Sequence, residues 1–268
     1  MLVEHMLTVD ALKWDVYRAF VLACSVEPLA NKPGCTTRHV DASPGTKLEY
    51  FIVSAVNSAW PFLELIDRVV QQDGQPTSIF DIAYLAQQQS IRNRYGGKVN
   101  YAQIFMLLPI IAAQALLYVE GQSPFDVDLI LGRTGRALRD TARKDVKYLQ
   151  QFVDLSRELS ELHHRRLGTT RSQLRPKFQG IYRNVMDALD APEFSHMKMV
   201  KEVKAGYPRS KVVFERLSIE DDAGILRRSE VLYHELLPEM IRPDNVADSL
   251  VVGLYLTLVA KRDAILFP

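Results

Sequence analysis

Apolar residues recur along this chain mostly at intervals of three and four residues. Because an α-helix completes a turn in about 3.6 residues, such spacing gives each helix an apolar face to bury. Few stretches alternate apolar and polar residues as half-buried strands do. The sequence therefore predicts an all-α fold. Helices are expected at 10–30, 47–71, 77–92, 101–119, 124–139, 141–167, 173–190, 196–217, 221–237 and 246–265.

Length and composition favour one domain. The chain has 268 residues, 47% of them apolar, and no repeat or Gly/Ser linker interrupts it. We expect residues 1–268 to form a single-domain multi-helix bundle around a central apolar helix. That helix, 102–119, is about long enough to span a bilayer, but it contains Gln103, Pro109 and Gln114. A buried helix is therefore preferred to a membrane span.

Charge and cysteine content point to a cytoplasmic protein. The 33 basic and 32 acidic side chains nearly cancel, so bulk charge does not favour nucleic acid or an anionic membrane as partner. Cys24 and Cys35 are too few for a disulfide framework and form no CxxC pair. Charged residues within the first thirty positions argue against a signal peptide. The oligomeric state is left open.

A basic stripe offers one candidate function. Its members are spaced three and four residues apart, so a continuous helix would align Arg133, Arg136, Arg139, Arg143 and Lys147. Such a stripe suits polyphosphate or RNA. A solvated helix face paired with Asp140 and Asp145 explains it as well, and the balanced charge favours that interpretation.

Three helix-breaking stretches, 32–34, 96–100 and 242–248, offer a second candidate functional site. In the first, a helix ends before Pro33 and Gly34 permits a sharp turn, which makes Lys32 and backbone amides available to a phosphate. Arg38, His39 and Asp41 then place a guanidinium, a proton carrier and a carboxylate in one short loop. An ordinary connection between helices explains this segment too.

The second and third breaks also combine a helix start with polar residues. Gly96, Gly97 and Lys98 precede the most apolar helix, where glycine-freed amides and a positive helix terminus suit an anion. Asn100 serves equally well as an N-cap. In the third break, Asn245 is able to cap the last helix, with Asp248 completing the capping arrangement.

Taken in order, these segments resemble the triphosphoribosyl-dephospho-CoA synthase family, particularly its shorter, archaeal-type members. The likeness is diffuse and runs through most of the chain. It rests on Lys32-Pro33-Gly34, Arg38, Asp41, Phe51 with Ser54-Ala55, Gly96, Asn100, Pro109, Asp145-Val146, Arg157-Glu158 and Pro243, Ala247 and Asp248. The chain departs from the family where Lys98 and Arg242 replace asparagines and Asp244 replaces a glycine.

The resemblance implies transfer of a triphosphoribosyl group from ATP to dephospho-CoA, with release of adenine and with magnesium as a candidate cofactor. By that analogy, the carboxylates that act as base or magnesium ligands are Asp41, Asp145 and Asp248. The residues expected to bind substrate or its phosphates are Lys32, Gly34, Arg38, Gly96, Gly97, Lys98, Asn100, Arg157, Glu158, Arg242 and Asn245. The departures from the family keep an alternative open: a non-catalytic helical nucleotide-binding or interaction protein of the same fold.

Overall fold

The computed structural model describes residues 7–42, 46–76, 78–93, 99–134, 210–218, 224–236 and 243–262. In these ranges the regular structure is entirely helical, which confirms the predicted all-α fold. The helices are α1 (Val9–Val26), α2 (Leu48–Gln71), α3 (Phe80–Ser90), α4 (Tyr101–Val119), α5 (127–134), α6 (210–217), α7 (Gly224–Leu236) and α8 (Pro243–Ala260), with a 3-10 turn at Glu27–Leu29 after α1. The predicted helices 141–167 and 173–190 lie outside the described residues.

Helix α4 occupies the centre because it is apolar on every side. Most of its side chains are buried, and its neighbours in the fold are α2, α3 and α8. It is long and apolar enough to cross a membrane, yet 78% of that apolar window is buried inside the protein. A helix without a polar face must be enclosed by others, and this requirement organises the bundle around it.

Helices α1 and α2 form an antiparallel pair beside α4. The Lys13 ammonium lies 2.6 Å from the Asp67 carboxylate, and the rings of Phe20 and Phe62 lie 4.8 Å apart further along both helices. Helix α2 continues through Pro61 without a break, in agreement with the single helix expected at 47–71.

A buried polar chain joins α4 to α8 at the end of α4. The Tyr255 hydroxyl donates to Gln114 Oε1, and Gln114 Nε2 donates to the Pro124 carbonyl oxygen at 2.9 Å. Burial, assisted by the negative charge of Asp15, raises the pKa of Tyr255 well above its ordinary value. The tyrosine therefore stays neutral and acts as a hydrogen-bond donor inside the core.

Helices α8 and α6 approach closely at Gly253. A Cβ added there would lie 2.6 Å from Val213 Cβ and 3.2 Å from the Ser210 carbonyl oxygen. Both atoms are held by the α6 backbone, so relief requires the two helices to move apart. Glycine at this position sets their spacing.

We therefore expect Gly253→Ala to destabilise the protein by about 1–3 kcal/mol through overpacking. Gly132→Ala is the matched control, because Gly132 is exposed on α5 and a Cβ there meets nothing within 4 Å. The control should be neutral or stabilising by up to about 1 kcal/mol, since alanine favours helix more than glycine does. Urea unfolding of the three proteins measures this, and equal effects of the two substitutions would contradict the close approach.

Candidate functional site

The first predicted break lies where α1 ends. The 3-10 turn at Glu27–Leu29 follows α1, and the chain then turns at Gly34, whose φ of 85° is in the left-handed region that favours glycine. The amide of Cys35 donates to the Lys32 carbonyl oxygen at 3.1 Å and closes this turn. The predicted sharp turn is therefore present.

Lys32 is buried inside that turn, with 1% of its surface exposed. Its Nζ lies 3.0 Å from Glu27 Oε1, and it donates to the carbonyl oxygens of Glu27 and Ala30. The Glu27 carbonyl oxygen also accepts from the Ala30 amide at 3.2 Å, so the ammonium group adds a second bond at the end of α1 and neutralises the Glu27 carboxylate. Burial raises the pKa of the Glu27 carboxyl, and the adjacent Lys32 charge opposes that rise.

This placement bears on how Lys32 could bind a phosphate. An ammonium group has three N–H donors, and three protein oxygens surround this one. Direct phosphate binding by Lys32 stays a prediction, and it would require the side chain to leave the Glu27 pair. The sequence interpretation did not include Glu27, although its position five residues before Lys32 and its place just before Pro28 mark it as part of the same turn.

Asp248 reaches the same region from the other end of the sequence. It is half-buried in α8, and its Oδ1 accepts a hydrogen bond from Gln103 Nε2 on α4 at 2.7 Å. Burial raises the pKa of the Cys24 thiol, and the charges of Glu27 and Asp248 add to the rise. Helix α8, which carries Asp248, also packs against the 3-10 turn that contains Glu27. We call Cys24, Glu27, Lys32, Gln103 and Asp248 the Glu27 cluster.

The second break meets this region through Asn100. Asn100 is buried at the N-cap position of α4 with a φ of 57°, a left-handed conformation that asparagine tolerates better than most residues. Asn100 thus occupies the predicted N-cap position, but its side chain makes no capping hydrogen bond. Instead, its Nδ2 donates to the Phe51 carbonyl oxygen on α2 at 3.1 Å. Gln103, one turn further along α4, belongs to the Glu27 cluster.

Residues 36–42 form a loop that is folded by two buried threonines. Thr37 Oγ1 accepts from the amides of His39 and Val40, both at 3.2 Å, and Thr36 Oγ1 accepts from the amide of Ala42 at 3.1 Å. The loop leaves Arg38, His39 and Asp41 exposed. Their polar groups therefore lie at the surface next to the Lys32 turn.

Several predicted site residues lie outside the described part of the chain: Gly96, Gly97, Lys98, Asp145, Arg157, Glu158 and Arg242. The backbone of Asn245 is described, and it already lies within α8, which includes Pro243. Its predicted role as the N-cap of the last helix is therefore wrong. The basic stripe also falls mostly outside, except for Arg133, which is paired with Glu120 at 2.6 Å.

Two of the three carboxylates predicted to bind magnesium are described. Asp248 belongs to the Glu27 cluster, and Asp41 lies in the exposed loop. Among the described residues, no three His, Cys, Asp or Glu side chains are grouped closely enough to hold a metal ion. Magnesium in nucleotide sites is typically bound by one or two carboxylates together with substrate phosphates. Asp248 would therefore hold magnesium together with substrate phosphates.

The Glu27–Lys32 pair allows a stability prediction. Lys32→Met leaves a buried carboxylate without its cation and should destabilise the protein by about 3–5 kcal/mol. The double variant Glu27→Gln/Lys32→Met removes both charges and should recover more than half of that loss. Urea unfolding of the single and double variants measures the difference. Equal stability of the two variants would mean that the ion pair contributes no coupling.

The geometry of the three breaks is thus partly defined: α8, which carries Asp248, packs against the 3-10 turn that precedes Lys32, and Asp248 accepts a hydrogen bond from Gln103, one turn beyond Asn100. Compared with known protein families, with curated proteins and with solved structures, the chain matches none.

Proposed function

We propose that this protein is a ribosyltransferase similar to triphosphoribosyl-dephospho-CoA synthase. It would move a triphosphoribosyl group from ATP to dephospho-CoA or a related nucleotide acceptor. One observation carries the proposal: α8, which carries Asp248, packs against the 3-10 turn Glu27–Leu29 that precedes Lys32, although Lys32 and Asp248 lie more than 200 residues apart in sequence. The resemblance assigned both segments to one ligand site, and this proximity supports that assignment.

Asp248 has the properties needed in a proton acceptor. In the proposed reaction, the 2′-hydroxyl oxygen of the acceptor bonds to the anomeric carbon of the ATP ribose and loses its proton. The bond from that carbon to adenine breaks, and adenine leaves with a proton. The hydrogen bond from Gln103 at 2.7 Å fixes the orientation of the Asp248 carboxylate, which is half-buried rather than enclosed. A base that is oriented and accessible is able to receive the hydroxyl proton.

Arg38 is the described cation best placed for a phosphate. Its side chain is 47% exposed, its Nε donates to His39 Nε2 at 3.0 Å, and Glu230 lies 3.9 Å from the guanidinium group. Arginine binds phosphate oxygens in a bidentate manner, so a triphosphate at the Lys32 turn would gain a strong ligand there. Magnesium, if bound with ATP, would add charge neutralisation at the phosphates.

A second candidate function is nucleotide binding without catalysis. The observation that favours it is the engagement of Lys32, whose ammonium group is buried against Glu27 and two carbonyl oxygens. A lysine held in this way stabilises the turn and contributes little charge to a ligand outside it. In this case the protein would bind ATP or dephospho-CoA without releasing adenine.

Adenine release tests the proposal. Purified protein with ATP, magnesium and dephospho-CoA should release free adenine, detected by chromatography, and each nucleotide should raise the melting temperature. Asp248→Asn should reduce turnover by about 100-fold or more while the thermal shift with ATP persists. Asp128→Asn is the control, because Asp128 is exposed on α5 and is paired with Lys211; it should retain full turnover.

The outcomes separate the two candidates. Thermal shifts without adenine would reject the transferase with this acceptor and favour nucleotide binding. The absence of a shift with either nucleotide would reject both. Adenine release that is unaffected by Asp248→Asn would keep the activity and remove Asp248 from the chemistry.

A further inference from the structure

Helix α7 contacts the Lys32 turn through a buried tyrosine. The Tyr233 hydroxyl donates to the Pro33 carbonyl oxygen at 2.7 Å and lies 3.6 Å from Cys35 Sγ. The tyrosine is fully buried, so its hydroxyl is a fixed donor rather than a solvated one. It therefore holds the backbone at Pro33 and contacts the Cys35 side chain on the other side of Gly34.

Glu230, one turn earlier on α7, contacts the two ends of the same segment. Its Oε1 accepts a hydrogen bond from the Asn31 amide at 2.8 Å and lies 3.9 Å from the Arg38 guanidinium. Residues three apart on a helix lie on the same side, so Glu230 and Tyr233 form one contact surface. Helix α7 thus attaches to residues 31–38 at four points.

We propose that Tyr233 and Glu230 are positioning residues that hold residues 31–38 in the shape that receives the phosphates of the ligand. This inference rests on the proposed function. Tyr233 acts through the Pro33 carbonyl, which sets the direction of the turn, and Glu230 acts through Asn31 and the Arg38 side chain. Neither residue needs to touch the ligand. Turn geometry matters because small displacements of binding groups weaken contacts with a phosphate.

The cysteines provide a direct reporter of this loop. The chain has two cysteines; Cys24 is fully buried, and Cys35 is partly exposed within the loop. Thiol labelling of the folded protein should therefore report on Cys35, and Cys35→Ser should abolish it. Because Tyr233 contacts both Pro33 and Cys35, Tyr233→Phe should increase the labelling rate about three- to tenfold, the factor expected for one lost hydrogen bond.

Tyr84→Phe is the matched control. The Tyr84 hydroxyl accepts from Gln88 Nε2 at 2.9 Å on α3, so this substitution also removes one hydroxyl contact, but outside the loop. Its labelling rate should equal that of the parent protein. Melting temperatures confirm that each variant is folded.

Ligand binding supplies the readout that a structural role alone would not change. Tyr233→Phe should raise the KM for ATP about three- to tenfold with a smaller effect on kcat. If the protein binds without turnover, the ATP concentration that half-protects Cys35 from labelling replaces KM. Glu230→Gln keeps an acceptor oxygen for the Asn31 amide, so it should stay closer to the parent than Glu230→Ala.

Faster labelling together with a raised KM or half-protecting concentration supports the proposal. An unchanged labelling rate in Tyr233→Phe overturns it, as does faster labelling with unchanged ATP dependence, because the contact would then be structural only. If the parent protein neither releases adenine nor shows protection of Cys35 by ATP, the proposed function itself is contradicted. The ligand-positioning role is then contradicted as well. The behaviour of the parent protein therefore distinguishes the two failures.

Discussion

The burial of α4 is the constraint on which the described structure depends. A helix of nineteen residues without a polar face is stable in water only when other helices cover it on all sides. Helices α2, α3 and α8 contact it directly, and α1 packs on α2 and α8. The starts of α4 and α8 and the end of α1 consequently come together, since each helix is fixed by its packing against this core. The Glu27 cluster lies at that junction.

The Glu27–Lys32 pair shows how a polar site coexists with such a core. Two opposite charges are buried where α1 ends, and the ammonium group also donates to the carbonyl oxygens of Glu27 and Ala30. Removing one partner of a buried pair leaves an uncompensated charge, whereas replacing both partners often changes stability little. The turn that follows is held from one side by Lys32 and from the other by α7.

Sequence periodicity predicted most of the described helices because their apolar faces are regular. The expected 47–71 and 101–119 correspond to Leu48–Gln71 and Tyr101–Val119, whereas the last helix includes Pro243 rather than starting at 246. Proline is favoured in the first turn of a helix, and the prediction placed the start at the polar residue instead. The all-α character was predictable for the same reason: helical periodicity is a local property.

The candidate site was less predictable because its contacts are long-range. A lysine next to proline and glycine is typical of an exposed phosphate-binding turn, and only the fold shows that Glu27 and two carbonyls enclose it. Asn100 appeared to be a capping residue, yet its amide extends to α2. Tyr233 lies 200 residues from Pro33 and had no local signal.

The two glutamines of α4 have a consequence for α8. Gln103 of α4 binds Asp248 of α8, and Gln114 binds Tyr255 further along both helices. The two helices therefore run parallel between these contacts. These two hydrogen bonds cross an otherwise apolar interface, and together they fix the axial position of α8 relative to α4. A slip of one helical turn would break both bonds at once and leave their polar groups without partners in the core. The position of Asp248 relative to the start of α4 therefore depends on Tyr255 as much as on Asp248 itself. Tyr255 is fully buried and lies two turns further along α8.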